Sequence, residues 1–455
     1  MQKIHFVAIG GQGMSGIARI LLEKGYFISG SDLKAGSTTE RLEKLGARIY
    51  LGHRAENVVD PDVVVVSSAI SEDNPEVLEA RSRGIPVVHR MDMLLEVVKG
   101  KKLVAVAGAH GKTTTASMIA WILEKDGKDP TYLVGGEFTD EGNARLGKGE
   151  EAVFETDESD GSFLKAHPDV SVVTNIDNDH LDYWGSMDAL EEAFYRFLDG
   201  TREGGRRVVC VDDPRLLKWA QSHPDAVTYS LHQDSVWQAR NIEKAGWGTV
   251  SDIFFKGRRV CRLRLRVPGE HNVQDALGAI AAAHARGVDV ENACEHLSSF
   301  TGAKRRLEYV GTFGGIMVFD DFAHHPSEIR ASIRAIKESL PSRRIIVIFQ
   351  PHRYSRTRIL QKQFGSAFQD ADALIVTSIY AGPGEAPEPR VSSSFISDSV
   401  RAFGRPPVQY VPDMVEAARR AAALSGAGDV IVTMGAGDIW KALGPLENFL
   451  ARTVE

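Results

Sequence analysis

The residue pattern most suited to chemistry lies between positions 103 and 122. A β-branched run, Leu103–Ala107, leads into Gly108-Ala109-His110-Gly111-Lys112-Thr113-Thr114-Thr115, and a helical pattern through Met118, Ile119, Trp121 and Ile122 follows. A strand, a turn ending in Gly-Lys-Thr and a helix make a phosphate loop. Backbone N–H groups cradle phosphate oxygens, the lysine reaches the β- and γ-phosphates, and the hydroxyl binds Mg²⁺. Lys112 and Thr113 take those parts, with Gly108, Ala109, His110, Gly111 and Thr114 as the cradle. The first glycine of the usual loop would fall at Val106, so this loop is short.

A second glycine-rich turn lies near the start. The run Ile4–Ile9 enters Gly11-Gln12-Gly13-Met14-Ser15-Gly16, and a helix through Ile17, Ile20, Leu21 and Leu22 follows. Asp32 ends the next strand-like run. That acid would bind a ribose hydroxyl in a dinucleotide enzyme. The turn fits NAD, another phosphate-bearing ligand, or a tight turn with no ligand. Two separate phosphate turns argue against a simple dehydrogenase. They point to ATP chemistry on a second ligand that also carries phosphate.

Acids mark two further strand ends. Ala152–Glu155 runs into Thr156-Asp157-Glu158-Ser159-Asp160, and Val170–Thr174 runs into Asn175-Ile176-Asp177-Asn178-Asp179-His180. A carboxylate at the C-terminal end of a strand beside a phosphate loop is placed to hold Mg²⁺. Helix caps and solvated turns account for some of these six acids, but poorly for His180 beside Asp179 and facing the phosphate loop.

Elements of a particular kind must position these groups. Further strand-like runs are Val63–Ser67, Val208–Val211, Ile345–Phe349, Ala373–Val376 and Asp429–Met434, alternating with helical patterns. Continuous apolar strands read as parallel strands covered on both faces, hence an α/β chain. Boundaries fall at Lys99–Lys102 and Thr301–Arg306. The expected domains are a Rossmann-like domain over 1–101, a central P-loop ATPase-type domain with a mostly parallel sheet over 102–303, and a Rossmann-like domain over 304–455. The stretch 228–268 lacks a helix pattern and is expected to form a small antiparallel segment.

The length of 455 residues suits about three domains. With 54 Lys and Arg against 61 Asp and Glu, the chain has no general electrostatic footprint for nucleic acid or an anionic membrane. Cys210, Cys261 and Cys294 are widely spaced, so neither a disulfide framework nor a zinc site is indicated. Reduced thiols fit a cytoplasmic protein. The opening residues show no signal-peptide pattern. The apolar stretch Ala276–Ala283 is far too short for a membrane span.

With these residues in place the chain resembles the Mur ligases, the ATP-dependent amide-forming enzymes of peptidoglycan synthesis. Within them it resembles the branch that adds L-alanine to UDP-N-acetylmuramate. The family's loop reads Gly-Thr-x-Gly-Lys-Thr, which explains the short form here; Ala109 replaces the threonine. The resemblance implies that Gly11, Gly13, Met14, Ser15 and Gly16 hold the UDP diphosphate. Glu155 and His180 match the family's magnesium ligands, with Thr113. Pro268-Gly269-Glu270-His271-Asn272 places Asn272 near the ATP base, and Arg306 matches the arginine approaching the γ-phosphate. Asp321, in Asp320-Asp321-Phe322-Ala323-His324-His325-Pro326, belongs to a segment closing over ATP. Phe349-Gln350-Pro351-His352-Arg353-Tyr354-Ser355-Arg356-Thr357 and Gly435-Ala436-Gly437-Asp438-Ile439-Trp440 are typical of the alanine-adding branch. Other branches carry a lysine carbamate near the position of Phe194; no lysine lies there.

The implied cofactors are ATP and two Mg²⁺ ions, replaceable by Mn²⁺. The implied chemistry turns a carboxylate oxygen into a leaving group by phosphorylation and lets an amine displace phosphate. Lys112, Glu155, His180 and Arg306 are the expected catalytic groups. Arg353 and Arg356 are candidates for the alanine carboxylate, against a solvated basic turn. His325 and His352 are candidates to orient the amine or take its proton. Asp32, Ser67, Ser68 and His89 follow strands and are expected near the uridine or sugar. The alternatives are a murein peptide ligase attaching a recycled tripeptide to the same sugar nucleotide, a P-loop ATPase acting on a partner, an NAD-dependent dehydrogenase, and a non-catalytic nucleotide-binding regulator.

Overall fold

The computed structural model describes residues 2–139, 142–382 and 385–452. Its strands gather into three sheets. The first holds five parallel strands in the order Arg48–Leu51, Phe27–Asp32, Lys3–Val7, Val63–Val66, Val87–His89. The order starts from the Lys3–Val7 strand and moves outward to both sides, which creates a crevice at the carboxyl ends of Lys3–Val7 and Val63–Val66.

The second sheet has ten strands, with Lys102–Ala107 between Val170–Val173 and Glu151–Glu155. Both neighbours pair in parallel, with Val106 opposite Glu155 and Ala107 opposite Val173. These strands are buried along nearly their whole length, as their continuous apolar runs require. At one end lie Trp237–Ala245, Gly248–Phe255 and Arg258–Leu265, joined by two-residue turns, one of them Lys256-Gly257 with both φ positive. That turn is the type that matches strand twist in hairpins. The helix Glu270–Ala285 carries the apolar stretch 276–283, fully buried in the core. Among the described residues, no helix is long and apolar enough to cross a membrane.

The third sheet runs Glu308–Phe313, Ile316–Asp321, Val430–Met434, Ile345–Phe349, Ala373–Val376, Val408–Tyr410, with the first strand antiparallel and the rest parallel. Phe319, Phe349, Phe364 and Phe368 pack on one face, and an alanine-rich helix, Met414–Leu424, on the other.

The chain divides into two compact units: 1–240 with 252–263 and 274–298, and 241–251 with 264–273 and 299–455. The first unit thus contains both glycine-rich turns. The thiols differ from the sequence reading. Cys261 and Cys294 are joined, with Cα atoms 6.9 Å apart, and Cys210 is buried and free. Strand Arg258–Leu265 and helix Val290–Leu297 bring the two thiols together across 33 residues of chain, a tertiary pairing that no local spacing signals.

Candidate active site

In the first unit the phosphate loop connects the strand Lys102–Ala107 to the helix Lys112–Lys125. Gly108 adopts φ +135°, and a Cβ there would overlap the Thr174 hydroxyl, so the loop passes where only glycine fits. The loop is tied to the next strand end: the His110 N–H donates to the Asn175 side chain at 2.9 Å, Thr174 Oγ1 donates to the His110 carbonyl at 2.6 Å, and the His110 ring meets Asp177 at 2.9 Å. His110 is therefore held by its own neighbours, and Ala109, Gly111 and Thr114 are half-buried around it.

Two pairs dominate the loop's chemistry. Thr113 Oγ1 donates to Glu155 Oε2 at 2.8 Å, and the Gly135 N–H donates to the same oxygen at 2.6 Å. Lys112 Nζ donates to both oxygens of Glu158, each at 2.9 Å, and to the Gly108 carbonyl. Burial disfavours the Lys112 charge, but Glu158, Glu155 and Asp157 outweigh it and hold the ammonium above its usual range. Burial pushes the Glu158 carboxyl up. For Asp157, Arg90, His180 and Lys112 overcome burial and hold the carboxyl down.

His180 follows the strand Val170–Val173 and takes a left-handed conformation, φ 56° and ψ 28°. Its N–H donates to Asp179 Oδ1 at 2.9 Å, and its Nε2 lies 3.6 Å from Asp179 Oδ2. The Thr113 hydroxyl and the Glu155 carboxylate already meet, and two hard oxygens of this kind suit Mg²⁺ or Mn²⁺. Phe194, the position of the missing lysine, is wholly buried and packs 5.4 Å from Phe163. It fills core.

The first glycine-rich turn starts the helix Gln12–Glu23, with Gly11 as its N-cap. Gly13 therefore lies inside the first helical turn, where N–H groups lack intrahelical partners. Met14 and Ser15 are buried, and Ser15 Oγ donates to the Gln12 carbonyl at 3.1 Å. Met14 offers the turn its backbone N–H, the kind of group an anion at a helix start uses. Gly16 faces away from the turn: a Cβ there would overlap Leu133 and crowd Ala144. It lets the helix pack on the second sheet's edge. Asp32 accepts from the Gly10 N–H at 2.9 Å and the Lys34 N–H at 3.2 Å, so its carboxylate braces the turn. Ser67 is half-buried.

Sequence reasoning missed Arg90. Its guanidinium lies against Gly13, pairs with Asp157 at 3.0 Å, and lies 3.8 Å from Asp160. Ser68 donates to Asp160, and His89 Nε2 is 3.5 Å from the same carboxylate. Thus the acidic strand end reaches the glycine-rich turn through one arginine. No local motif marks Arg90; only the fold brings it there.

The second unit holds the remaining candidates. Asn272 is buried and donates to the Pro268 carbonyl at 2.6 Å. Arg306 lies 5.1 Å over the Phe322 ring, and its charge acts on Asp321. Asp321 is buried and accepts from the Ala323 N–H at 2.9 Å; burial raises its carboxyl to about 6. His325 is buried as the N-cap of helix Pro326–Ser339, accepting from the Ser327 N–H, so a cap explains its place. His352 stacks on Tyr380 with centroids 5.8 Å apart. Arg353 takes φ +69° just before the short helix Tyr354–Ile359. Arg356 is buried, with its guanidinium 3.0 Å from His352 Nδ1. Gln350 links this segment to the other one: its N–H donates to the Met434 carbonyl and its side chain donates to Asp438, both at 2.9 Å.

Comparison with known proteins accounts for the whole chain. Three family models match in order: "Mur ligase family, catalytic domain" over residues 3–102, "Mur ligase middle domain" over 106–283, and "Mur ligase, glutamate ligase domain" over 305–437. A UDP-N-acetylmuramate–L-alanine ligase of Pelotomaculum thermopropionicum is 46% identical over 444 residues, covering 97% of this chain and 96% of its own. The solved UDP-N-acetylmuramate–alanine ligase of Thermotoga maritima is 32% identical, covers 100% of this chain and 99% of its own, and superposes with a TM-score of 0.84. A murein peptide ligase of Psychrobacter arcticus is 27% identical, with 99% of each chain covered and a TM-score of 0.74. With every stretch from the first glycine-rich turn to the Gly435 segment inside one of these matches, the chain belongs to the Mur ligase family.

Proposed function

We propose that this chain is an ATP-dependent ligase that joins L-alanine to the lactyl carboxylate of UDP-N-acetylmuramate in peptidoglycan precursor synthesis. The observation that carries the reading is the meeting of the phosphate-loop lysine and threonine with one acidic strand end, and of His110 with the other, linked through Arg90 to a second glycine-rich turn. An NAD enzyme has no use for Lys112 and Glu155, and a motor ATPase has none for the first turn. Relatives spanning nearly the full length select the alanine-adding branch.

A lactyl carboxylate oxygen attacks the γ-phosphorus of ATP, the bond to the β-phosphate oxygen breaks, and ADP leaves. The acyl phosphate is then attacked by the neutral alanine amine. The tetrahedral intermediate expels phosphate, and the amine proton passes to a base. The first step joins two anions, so positioning and charge neutralisation do most of the work. Lys112 and Arg306 supply fixed positive charge on the transferring group. Thr113, Glu155 and His180 are the residues that would hold Mg²⁺. The ion supplies charge compensation for the polyphosphate. Asn272 contacts the ATP base and Asp321 belongs to the segment over the nucleotide. The N–H groups around Gly11, Gly13 and Met14 bind the UDP diphosphate, with Asp32 and Ser67 flanking. Arg353 and Arg356 bind the alanine carboxylate, and His325 and His352 flank its amine. The working domains are 1–101 for the sugar nucleotide, 102–303 for ATP and 304–455 for the amino acid, in a cytoplasmic protein.

The test is phosphate release from ATP and Mg²⁺ with UDP-N-acetylmuramate, with and without L-alanine. Release that needs both substrates and gives the alanyl product by mass supports the ligase. Release indifferent to the sugar nucleotide supports an ATPase. Product formed with the tripeptide but not with alanine supports the recycling ligase.

A further inference from the structure

Lys112 is the group that must meet the phosphates of ATP, yet its donors are already spent. An ammonium has three N–H donors. Those of Lys112 go to the two oxygens of Glu158, at 2.9 Å each, and to the Gly108 carbonyl, with the Ala109 carbonyl a longer acceptor at 3.4 Å. The Glu158 side chain is 2% exposed and that of Lys112 is 15% exposed, so the pair is largely withdrawn from solvent. A phosphate oxygen that takes its seat on Lys112 has to displace that carboxylate. The two anions also repel each other in a poorly solvated place.

We propose that Glu158 is a built-in occupant of the phosphate seat: it holds Lys112 in the nucleotide-free enzyme and must leave it when ATP binds. This deepens the ligase reading and rests on it. The loop explains why such an occupant is useful. An isolated ammonium in this burial would lose charge or swing away, and Glu158 keeps it charged and aimed along the loop. Glu158 is distinct from the metal-binding acid, because Glu155 is engaged with Thr113 and the Gly135 N–H instead. It is distinct from Asp157, whose carboxylate pairs with Arg90. Its backbone carbonyl accepts from Trp184 Nε1 at 3.0 Å, which anchors the main chain while the side chain moves. Glu158 is thus a positioning residue that competes with substrate, so the enzyme gives up part of its nucleotide affinity to keep Lys112 ready.

The experiment is calorimetric titration of ADP into the full-length chain in EDTA, so that no divalent ion contributes. Glu158→Gln keeps the size and one acceptor but removes the charge. Its Kd for ADP is expected to fall about tenfold or more, the equivalent of one charge-assisted hydrogen bond no longer in competition. Asp157→Asn removes a nearby charge that does not touch Lys112 and is expected to change Kd by no more than about twofold, through the screened field alone. Equal or weaker ADP binding by folded Glu158→Gln overturns the proposal, since a residue that merely supports the loop would produce that result. So does an equal tightening in both variants, which would mean a general field effect. Should Glu158→Gln fail to fold, Glu158→Ala, which also removes the charge, is expected to show the same tightening. A wild-type chain that binds no ADP with or without Mg²⁺ would refute the ligase reading itself, whereas binding that Glu158 leaves untouched would refute this inference alone.

Discussion

Asp321 offers a direct test of whether the structure stores charge against its own stability. The residue is 3% exposed, with the Ser332 hydroxyl, the Ala323 N–H and the guanidinium of Arg306 as compensation. Burial wins over all three and raises the carboxyl to about 6. A carboxyl that ionises near 6 rather than near 4 has its charged form disfavoured by about 3 kcal/mol. Between about pH 4 and pH 6 the folded chain keeps a proton that the unfolded chain has released. Stability from this group is therefore full below about pH 4, declines as pH rises, and is lost above about pH 6. Asp321→Asn removes the penalty while keeping an acceptor for the Ala323 N–H. The variant should unfold several degrees higher at pH 7.5, up to about 3 kcal/mol as an upper bound, and the gain should shrink to near zero at pH 4. Thermal unfolding of the full chain across that range is the assay. A gain of the same size at every pH, or a loss at pH 7.5, would refute the burial argument. If ligase activity falls in the stabilised variant, Asp321 is a charge kept for function at the expense of stability.

Three further outcomes follow from the geometry. Lys112→Ala should lower phosphate release with both substrates present by about 10²–10³-fold, the usual scale for one lost electrostatic contact to a reacting group, while unfolding stays cooperative. Gly16→Val should destabilise the chain by about 1–3 kcal/mol, measured by denaturant, because its side chain would drive into Leu133 and Ala144. Glu76 is wholly buried and accepts from Ser31 at 2.6 Å and Asn57 at 2.5 Å, with His5 at 3.4 Å; burial raises its carboxyl, but these bonds outweigh it and hold the group below its usual range. Glu76→Ala should cost about 3 kcal/mol or more at neutral pH, and the difference should narrow as acid protonates Glu76 in the wild type.

The elements around the phosphate loop were legible because each is a continuous apolar run closed by glycine or an acid. Leu103–Ala107, Ile345–Phe349 and Ala373–Val376 match their strands to within a residue, since a strand covered on both faces leaves no polar position to blur its ends. The meeting of the phosphate loop with the acidic strand ends followed from the rule that ligands gather at carboxyl edges. What remained hidden depends on direction and tertiary approach. An acidic run offers Asp157, Glu158 and Asp160 at nearly equivalent spacings, yet one turns to Arg90, one to Lys112 and one to Ser68 and His89. Spacing along a loop does not encode such a choice, because loop side chains lack the fixed periodicity of a helix or strand. The same holds for the union of Cys261 with Cys294. The division has a physical source. Patterns that repeat with a backbone period survive into the fold, whereas groups set by a single tertiary contact must be found by geometry. Glu158 belongs to the second kind, which is why a family motif can locate Lys112 and still say nothing of the carboxylate that occupies it.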